Sequence, residues 1–376
     1  MIGISAASME RRTPWEVVRR YVLVFDGSLL VAMGLVVLIS VATMYSAAFD
    51  YPGRFYGHFR NLGVAFAVMW LAAIVPPALL MRLAVPLYVI GVALLVAVDI
   101  FGIINKGAQR WLDIGVTRIQ PSELLKIATP LMLAWYFNQR EGMLRWGDFL
   151  VATLLLVVPV GLIAKQPDLG TSILVLAAGA YVIFFAGLSW KIIIGLVTAA
   201  VAAMPVLWSV LHDYQRQRVM TLIDPTVDPL GKGFHIIQSM IAVGSGGLTG
   251  KGWMQGTQTH LEFIPERTTD FILAVYAEEF GMLGVGVLML LYLAIISRGL
   301  VISGSGATLF GRLLAGSITM SFFTYAFVNM GMVIGVLPVV GVPLPWMSYG
   351  GTAMVTLGVG AGMLMSIHRH RTLVQS

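Results

Sequence analysis

The stretch HLEFIPERTTDFILAVYAEEFG, His260–Gly281, decides how the rest of the chain is read. Its first half is a polar loop and its second half an apolar helical run, with Asp270 at the junction. In a chain of 376 residues that is 58% hydrophobic and only 11% charged, such a junction is the rim of a membrane span. A reacting group placed there meets both a lipid-borne substrate and water. An ionisable side chain at a span is costly, so its presence points to function.

Outward from this junction, His212–Arg267 form the one long polar stretch in a chain otherwise built of apolar runs. A mean hydropathy of +0.87 excludes a soluble protein with one core and indicates a polytopic membrane protein. The runs are continuous rather than alternating, as helices in lipid are and barrel strands are not. They start near Tyr21, Phe59, Arg82, Pro121, Phe149, Thr171, Lys191, Phe271, Leu309 and Ser348, which gives an all-α fold of ten transmembrane helices. The expected organisation is a cytoplasmic segment, 1–20, a ten-helix membrane domain, 21–368, and a cytoplasmic tail, 369–376. One large extracytoplasmic loop, about 212–267, lies between spans seven and eight.

Arg11, Arg12, Arg19 and Arg20 lead into an apolar segment of spanning length with no small-residue cleavage site, so the first helix reads as a retained anchor. With no cysteine, disulfides, thiolate nucleophiles and cysteine metal sites are excluded. The net charge of +6 is dispersed between spans with no basic domain, so nucleic acid is not an expected partner. A cytoplasmic N-terminus puts twelve of the 24 Lys and Arg inside; five of the other twelve lie in the long loop, where the positive-inside rule loses force, leaving 12 against 7. The outer surplus, Arg54, Arg60, Lys106, Arg110, Arg118, Lys126 and Lys165, suits anion binding.

Within QPSELLK, Pro121 fits a first helical turn, and Glu123 and Lys126 share one face at i and i+3, where they pair rather than face lipid singly. That pair is either structural or functional. In KQPDLGTS, Asp168 is placed to cap the following helix, while Lys165 is a candidate ligand for an anionic group. The glycine-rich part of the loop is no phosphate loop: Ser245 stands where Walker A needs glycine and Gly252 where it needs Ser or Thr. Lys251, Arg216 and Arg218 remain as side chains able to hold a pyrophosphate. His260, Glu262, Glu266 and Asp270 lack zinc spacing; a loosely held Mg²⁺ or Mn²⁺, shared with substrate phosphates, is compatible with them. Glu278, about 80° around a helix from Asp270, is the better placed of Glu278 and Glu279 to support a site, though packing explains both.

QPSELLK, KQPDLGTS, HDYQRQRV, DPLGKGFHIIQS, GSGGLTGKGW, HLEFIPERTTDFI and LPVVGVPLPWMSYGG together resemble the SEDS family (shape, elongation, division, sporulation), in the family's order and over residues 20–370 or so. HDYQRQRV and HLEFIPER are more similar to the elongation members than to the division members. The resemblance implies a ten-span peptidoglycan glycosyltransferase of the bacterial cytoplasmic (inner) membrane, both termini inside. It would polymerise lipid II into glycan strands on the outer face for cell elongation and rod shape. Its implied partners are a class B penicillin-binding protein transpeptidase and other elongation-complex membrane proteins. The family's catalytic carboxylate falls on Asp270 and its charged pair on Glu123 and Lys126.

The implied reaction fits the residues. An acceptor hydroxyl needs a base, here Asp270, and the undecaprenyl pyrophosphate leaving group needs cations rather than a second acid. Arg110, Lys126, Arg216, Arg218 and Lys251 are the candidates, with Glu123, Lys165, Asp168 and Glu266 in support. The competing expectations are a flippase for the lipid-linked precursor and a non-catalytic scaffold for the transpeptidase.

Overall fold

An apolar run has no water to bond its backbone, so each closes its own hydrogen bonds as a helix. The protein is seen as a computed structural model that describes residues 25–105, 108–113, 115, 118–210, 216, 220, 232–264 and 266–371. Ten helices coincide with the ten apolar runs: α1 Gly27–Ala47, α2 Pro52–Ile74, α3 Pro77–Phe101, α4 Pro121–Gln139, α5 Trp146–Lys165, α6 Leu169–Phe185, α7 Trp190–Val210, α10 Ile272–Gly304, α11 Leu309–Val333 and α12 Gly351–Arg369. Seven of them, α1, α2, α3, α5, α10, α11 and α12, are long and apolar enough to cross a membrane by length and composition. α2 and α3 begin at Pro52 and Pro77, earlier than their apolar runs, because proline is at home in a first turn.

Two features add to the ten helices, and the first departs from the all-α expectation. Between α3 and α4 lies a small antiparallel ribbon of β1 Ile103–Asn105, β2 Ala108–Asp113 and β3 Arg118–Ile119. Its last turn is set by Gly115 in left-handed backbone (φ +83°), whose N–H donates to Asp113 at 2.8 Å. The polar loop also carries two helices, α8 Lys232–Ser245 and α9 Thr257–His260. Most of HDYQRQRV and DPLGKG, Arg218 included, lies outside the described residues.

Close packing positions the helices. α12 lies against α2 through Gly358 and Gly362, where a Cβ would sit 2.5 Å from the Ala65 carbonyl oxygen and 2.3 Å from that of Met69; small residues four apart let the backbones approach. At the other end of the bundle Asp26 caps α1 through the Leu29 N–H (2.9 Å) and binds Arg298 of α10 (2.6 Å) and His368 of α12 (3.2 Å). This buried carboxylate ties three helices together opposite the Asp270 rim.

α10 is not one rod. Gly281 (φ 64°, ψ −166°) breaks it into Ile272–Phe280 and Met282–Gly304. A break orphans helix N–H and C=O groups, and the glycine-rich loop after α8 satisfies them. The Gly247 and Leu248 carbonyls accept from Met282 and Leu283 (2.9 and 3.0 Å), while Lys251 and Gly252 N–H donate to the Glu278 and Glu279 carbonyls (both 3.0 Å). The fit is backbone on backbone: a Cβ on Gly246 would lie 2.1 Å from the Ala277 carbonyl oxygen, and one on Gly250 2.1 Å from that of Glu279. Glycine is needed there for proximity, which is why the segment resembles a phosphate loop without being one.

Candidate active site

Asp270 ends a polar turn that is pinned on every side. Arg267 forms an ion pair with Asp50, donates to the Ala47 carbonyl (2.9 Å) and lies 5.1 Å over the Phe49 ring, which fixes the turn to the end of α1. Burial alone would raise the Asp50 carboxyl, but the Arg267 hydrogen bond and charge outweigh it and hold it below the usual carboxylate range. Arg54, in the first turn of α2, donates to the Thr268 hydroxyl at 2.7 Å, and the Tyr349 N–H donates to the Thr268 carbonyl at 2.8 Å. Thr269 donates to Glu266 (3.0 Å), whose left-handed backbone (φ +51°) turns the chain. The Asn329 amide of α11 donates to the Asp270 carbonyl (2.8 Å) and to that of Val342 (2.7 Å).

On one side of the half-buried Asp270 side chain lies bare backbone: Gly341 (φ +72°), where a Cβ would lie 3.5 Å from Asp270 Oδ2. One residue earlier the Val340 carbonyl packs on Gly170, at the start of α6, where a Cβ would be 2.4 Å away. The 340–342 segment therefore joins Asp270 to the α6 N-terminus. There Asp168 caps through the Thr171 N–H (3.2 Å), accepts from Gln120 (3.2 Å) and lies 3.8 Å from Arg110. Arg110 also donates to the Gln166 (3.3 Å) and Pro167 carbonyls.

Val342 packs with Tyr325, and the Tyr325 ring lies 5.5 Å from the Lys126 ammonium. Lys126 pairs with Glu123 at 2.6 Å, and Thr356 of α12 donates to the other Glu123 oxygen at 2.9 Å. Both charges thus have partners in the low-dielectric bundle, which makes their presence tolerable. Glu123 and Gln120 also stand at the polar end of an open groove of about 690 Å³ between α2, α3, α4 and α12, whose walls are otherwise largely apolar (Leu87, Leu94, Leu124, Val355, Val359).

Asp270, Asp168, Arg110, Glu123 and Lys126 are therefore linked through one rim. Lys251 instead binds the fully buried Glu278 at 2.7 Å, which also accepts from Thr257 and the Gln258 N–H; Glu279 accepts from Ser46 of α1. Both glutamates serve the joint in α10. Because Asp270 precedes that helix, the angular reckoning from it does not apply. Arg216 donates to the Trp208 (3.0 Å) and Ser209 (2.8 Å) carbonyls at the end of α7, and the exposed Lys165 pairs with Asp99 at 3.3 Å. Among the described residues no group of three or more His, Asp and Glu is arranged to hold a metal ion.

The residues the sequence did not single out are Arg54 as a partner of Thr268, Asn329, Gly341 and Tyr349. Each had a partial signal: Asn329 as an amide within an apolar run, Arg54 as one of the surplus outer cations, and Gly341 and Tyr349 within the LPVVGVPLPWMSYGG motif.

Comparison with known proteins gives a consistent answer. The chain is 48% identical to the peptidoglycan glycosyltransferase MrdB of Escherichia coli K12 over 365 residues, 97% of each chain. It is 37% identical to that of Helicobacter pylori J99, over 78% of this chain and 77% of that one. Its fold matches a chain from a peptidoglycan synthase complex that coordinates polymerization and crosslinking, with a TM-score of 0.80, 33% identity and coverage of 93% and 99%. It also matches the rod shape determining protein RodA of Thermus thermophilus, with a TM-score of 0.70, 28% identity and coverage of 94% and 98%. Residues 20–373 match the cell cycle protein family FtsW/RodA/SpoVE, and the chain belongs to that family.

Proposed function

We propose that this protein is a peptidoglycan glycosyltransferase that polymerises lipid II into glycan strands for cell elongation, with Asp270 as general base. The observation that carries the reading is the joining of Asp270, the Arg110–Asp168 turn and the Glu123–Lys126 pair through residues 340–342, beside an apolar groove. Asp270 takes the proton from the attacking acceptor hydroxyl, which is a poor nucleophile until a positioned base removes it. Gly341 puts no side chain beside that carboxylate. The anomeric carbon–oxygen bond to undecaprenyl pyrophosphate breaks as the new glycosidic bond forms, and direct displacement inverts the anomeric centre.

Arg110 and Lys126 absorb the charge developing on the leaving pyrophosphate, each by exchanging part of its present contact with Asp168 or Glu123 for phosphate oxygens. Arg216, Arg218 and Lys251 rank behind them as phosphate ligands. A divalent Mg²⁺ or Mn²⁺, if used, would be shared between Asp270 and the phosphates. The groove receives the lipid tail from the side, with its polar end at Glu123. In this reading all ten long helices span the bacterial inner membrane, both termini are cytoplasmic, and the 212–267 loop and Asp270 face outward. A class B penicillin-binding protein crosslinks the product.

The test is gel analysis of glycan made from labelled lipid II by the purified protein with its class B partner, beside Asp270→Asn. Polymer from the wild type and none from the variant is expected, with folding and partner binding retained. Polymer from both removes Asp270 as the base. Lipid II flipping without polymer by the wild-type complex replaces this reading with a flippase, and transpeptidase activation alone replaces it with a scaffold.

A further inference from the structure

Outside the rim just described, the turn between α1 and α2 and the loop after α8 build a second recess that the proposed chemistry does not use. Its walls are Tyr45, Phe49, Phe55, Tyr56 and Met254, around a space of about 330 Å³. The rings are arranged rather than scattered: Tyr45 meets Phe55 edge to face at 5.5 Å and Trp253 at 5.7 Å, and Trp253 is held by its indole N–H on the Ala42 carbonyl (3.0 Å). Tyr45 and Tyr56 are 52% and 71% exposed, so part of each ring is open to a ligand.

Beside it, sharing Ala48, is a polar recess of about 250 Å³ formed by Asp50, Tyr51, Arg54, Glu262, Glu266 and Arg267. Arg54 connects this pair of recesses to the candidate active site: it lies 5.7 Å over the Tyr51 ring and donates to Thr268, two residues before Asp270. Aromatic faces beside planar carboxylate and guanidinium groups are what a saccharide requires. The axial C–H faces of a sugar ring lie on aromatic rings, while its hydroxyl and amide groups take bonds from the charged side chains. An interfacial belt explains single Trp and Tyr residues at span ends but not a concave aromatic wall joined to a recess of three carboxylates and two arginines.

We propose that the Tyr45–Tyr56 recess and the adjoining Asp50–Arg54 recess form a saccharide subsite that holds the glycan strand away from the reacting bond. This rests on the glycosyltransferase reading above. Its consequence is retention: a strand gripped there stays on the enzyme through successive additions, so the subsite sets product length and leaves formation of the first bond unchanged.

The experiment uses the full chain with its class B partner and labelled lipid II, comparing wild type, Tyr45→Ala/Tyr56→Ala and Tyr45→Phe/Tyr56→Phe. Both positions are exposed, so the fold should survive. The alanine pair is expected to shorten the mean glycan severalfold at an unchanged initial rate of lipid II consumption, and the phenylalanine pair to restore long product. Saturation-transfer NMR with a β-1,4-linked N-acetylglucosamine tetramer should show contact with wild type and a clear loss with the alanine pair. Unchanged product length, or length lost only because the partner no longer co-purifies, overturns the subsite; the latter result makes the recess a protein interface. Absence of polymer from the wild-type complex is a failure of the glycosyltransferase reading and is distinguished by that control.

Discussion

Lys126 and Glu123 hold each other in a setting that neither tolerates alone. Lys126→Ala leaves Glu123 with only Thr356 as a hydrogen-bond donor, and breaking one side of such a buried pair costs about 3–5 kcal/mol. Thermal unfolding in detergent should register that loss, together with loss of polymerisation if Lys126 meets the pyrophosphate; an unshifted transition would show that the pair is dispensable to the bundle. Asp50 predicts a dependence on pH. Its folded-state carboxyl is depressed, so its ion pair with Arg267 stabilises fully above the unfolded value of about 4 and is lost as pH falls through the lower folded value. The wild type should therefore be more stable than Asp50→Asn at neutral pH, and the gap should close as pH drops below about 4; a gap independent of pH would contradict the assignment. Asp270, Glu123 and Lys126 were legible in the sequence because ionisable groups stand out against apolar runs. Arg54 was not legible as a neighbour of the site, since its partner Thr268 is 214 residues away and no local pattern joins them.

The broken α10 shows what periodicity can and cannot reveal about an element. Ten apolar runs announced ten helices, yet the break at Gly281 is not marked in the run pattern: its immediate neighbours Phe280 and Met282 are apolar, and the Glu278–Glu279 pair just before them reads as two charges on a continuing helix. Its cause lies in GSGGLTGKG, whose glycines permit the splice, and in the unpaired peptide groups that the splice bonds. Gly250→Ala would hold alanine at φ +82° and press its Cβ against the Glu279 carbonyl. The backbone strain alone is about 1–3 kcal/mol, and the overlap adds to it. A lowered melting temperature and reduced folded yield are expected, whereas Gly244→Ala, with nothing within 4 Å, should behave as wild type. The β1–β3 ribbon was missed for a simpler reason: strands of three, six and two residues are too short for alternation to show.

At the scale of the whole molecule the sequence offers a clean handle on orientation, since it contains no cysteine. Met143→Cys, 71% exposed between α4 and α5, should resist a membrane-impermeant maleimide in intact spheroplasts, and Leu261→Cys, 63% exposed in the polar loop, should react. The reverse pattern would invert the proposed topology. The joint in α10 has a mechanical consequence for such a molecule. Met282–Gly304 is about 34 Å long at 1.5 Å per residue, enough to cross a hydrocarbon layer of about 30 Å by itself. Thinner or thicker bilayers make a spanning helix tilt. A continuous rod would carry that tilt to its far end, whereas a bend taken up at Gly281, which lies outside helical backbone, would leave Ile272–Phe280 in place. Activity in vesicles of different acyl-chain length is then expected to vary little, the break acting as a shock absorber between the membrane's changing thickness and the carboxylate proposed as the base; activity that tracks chain length would show the joint to be stiff.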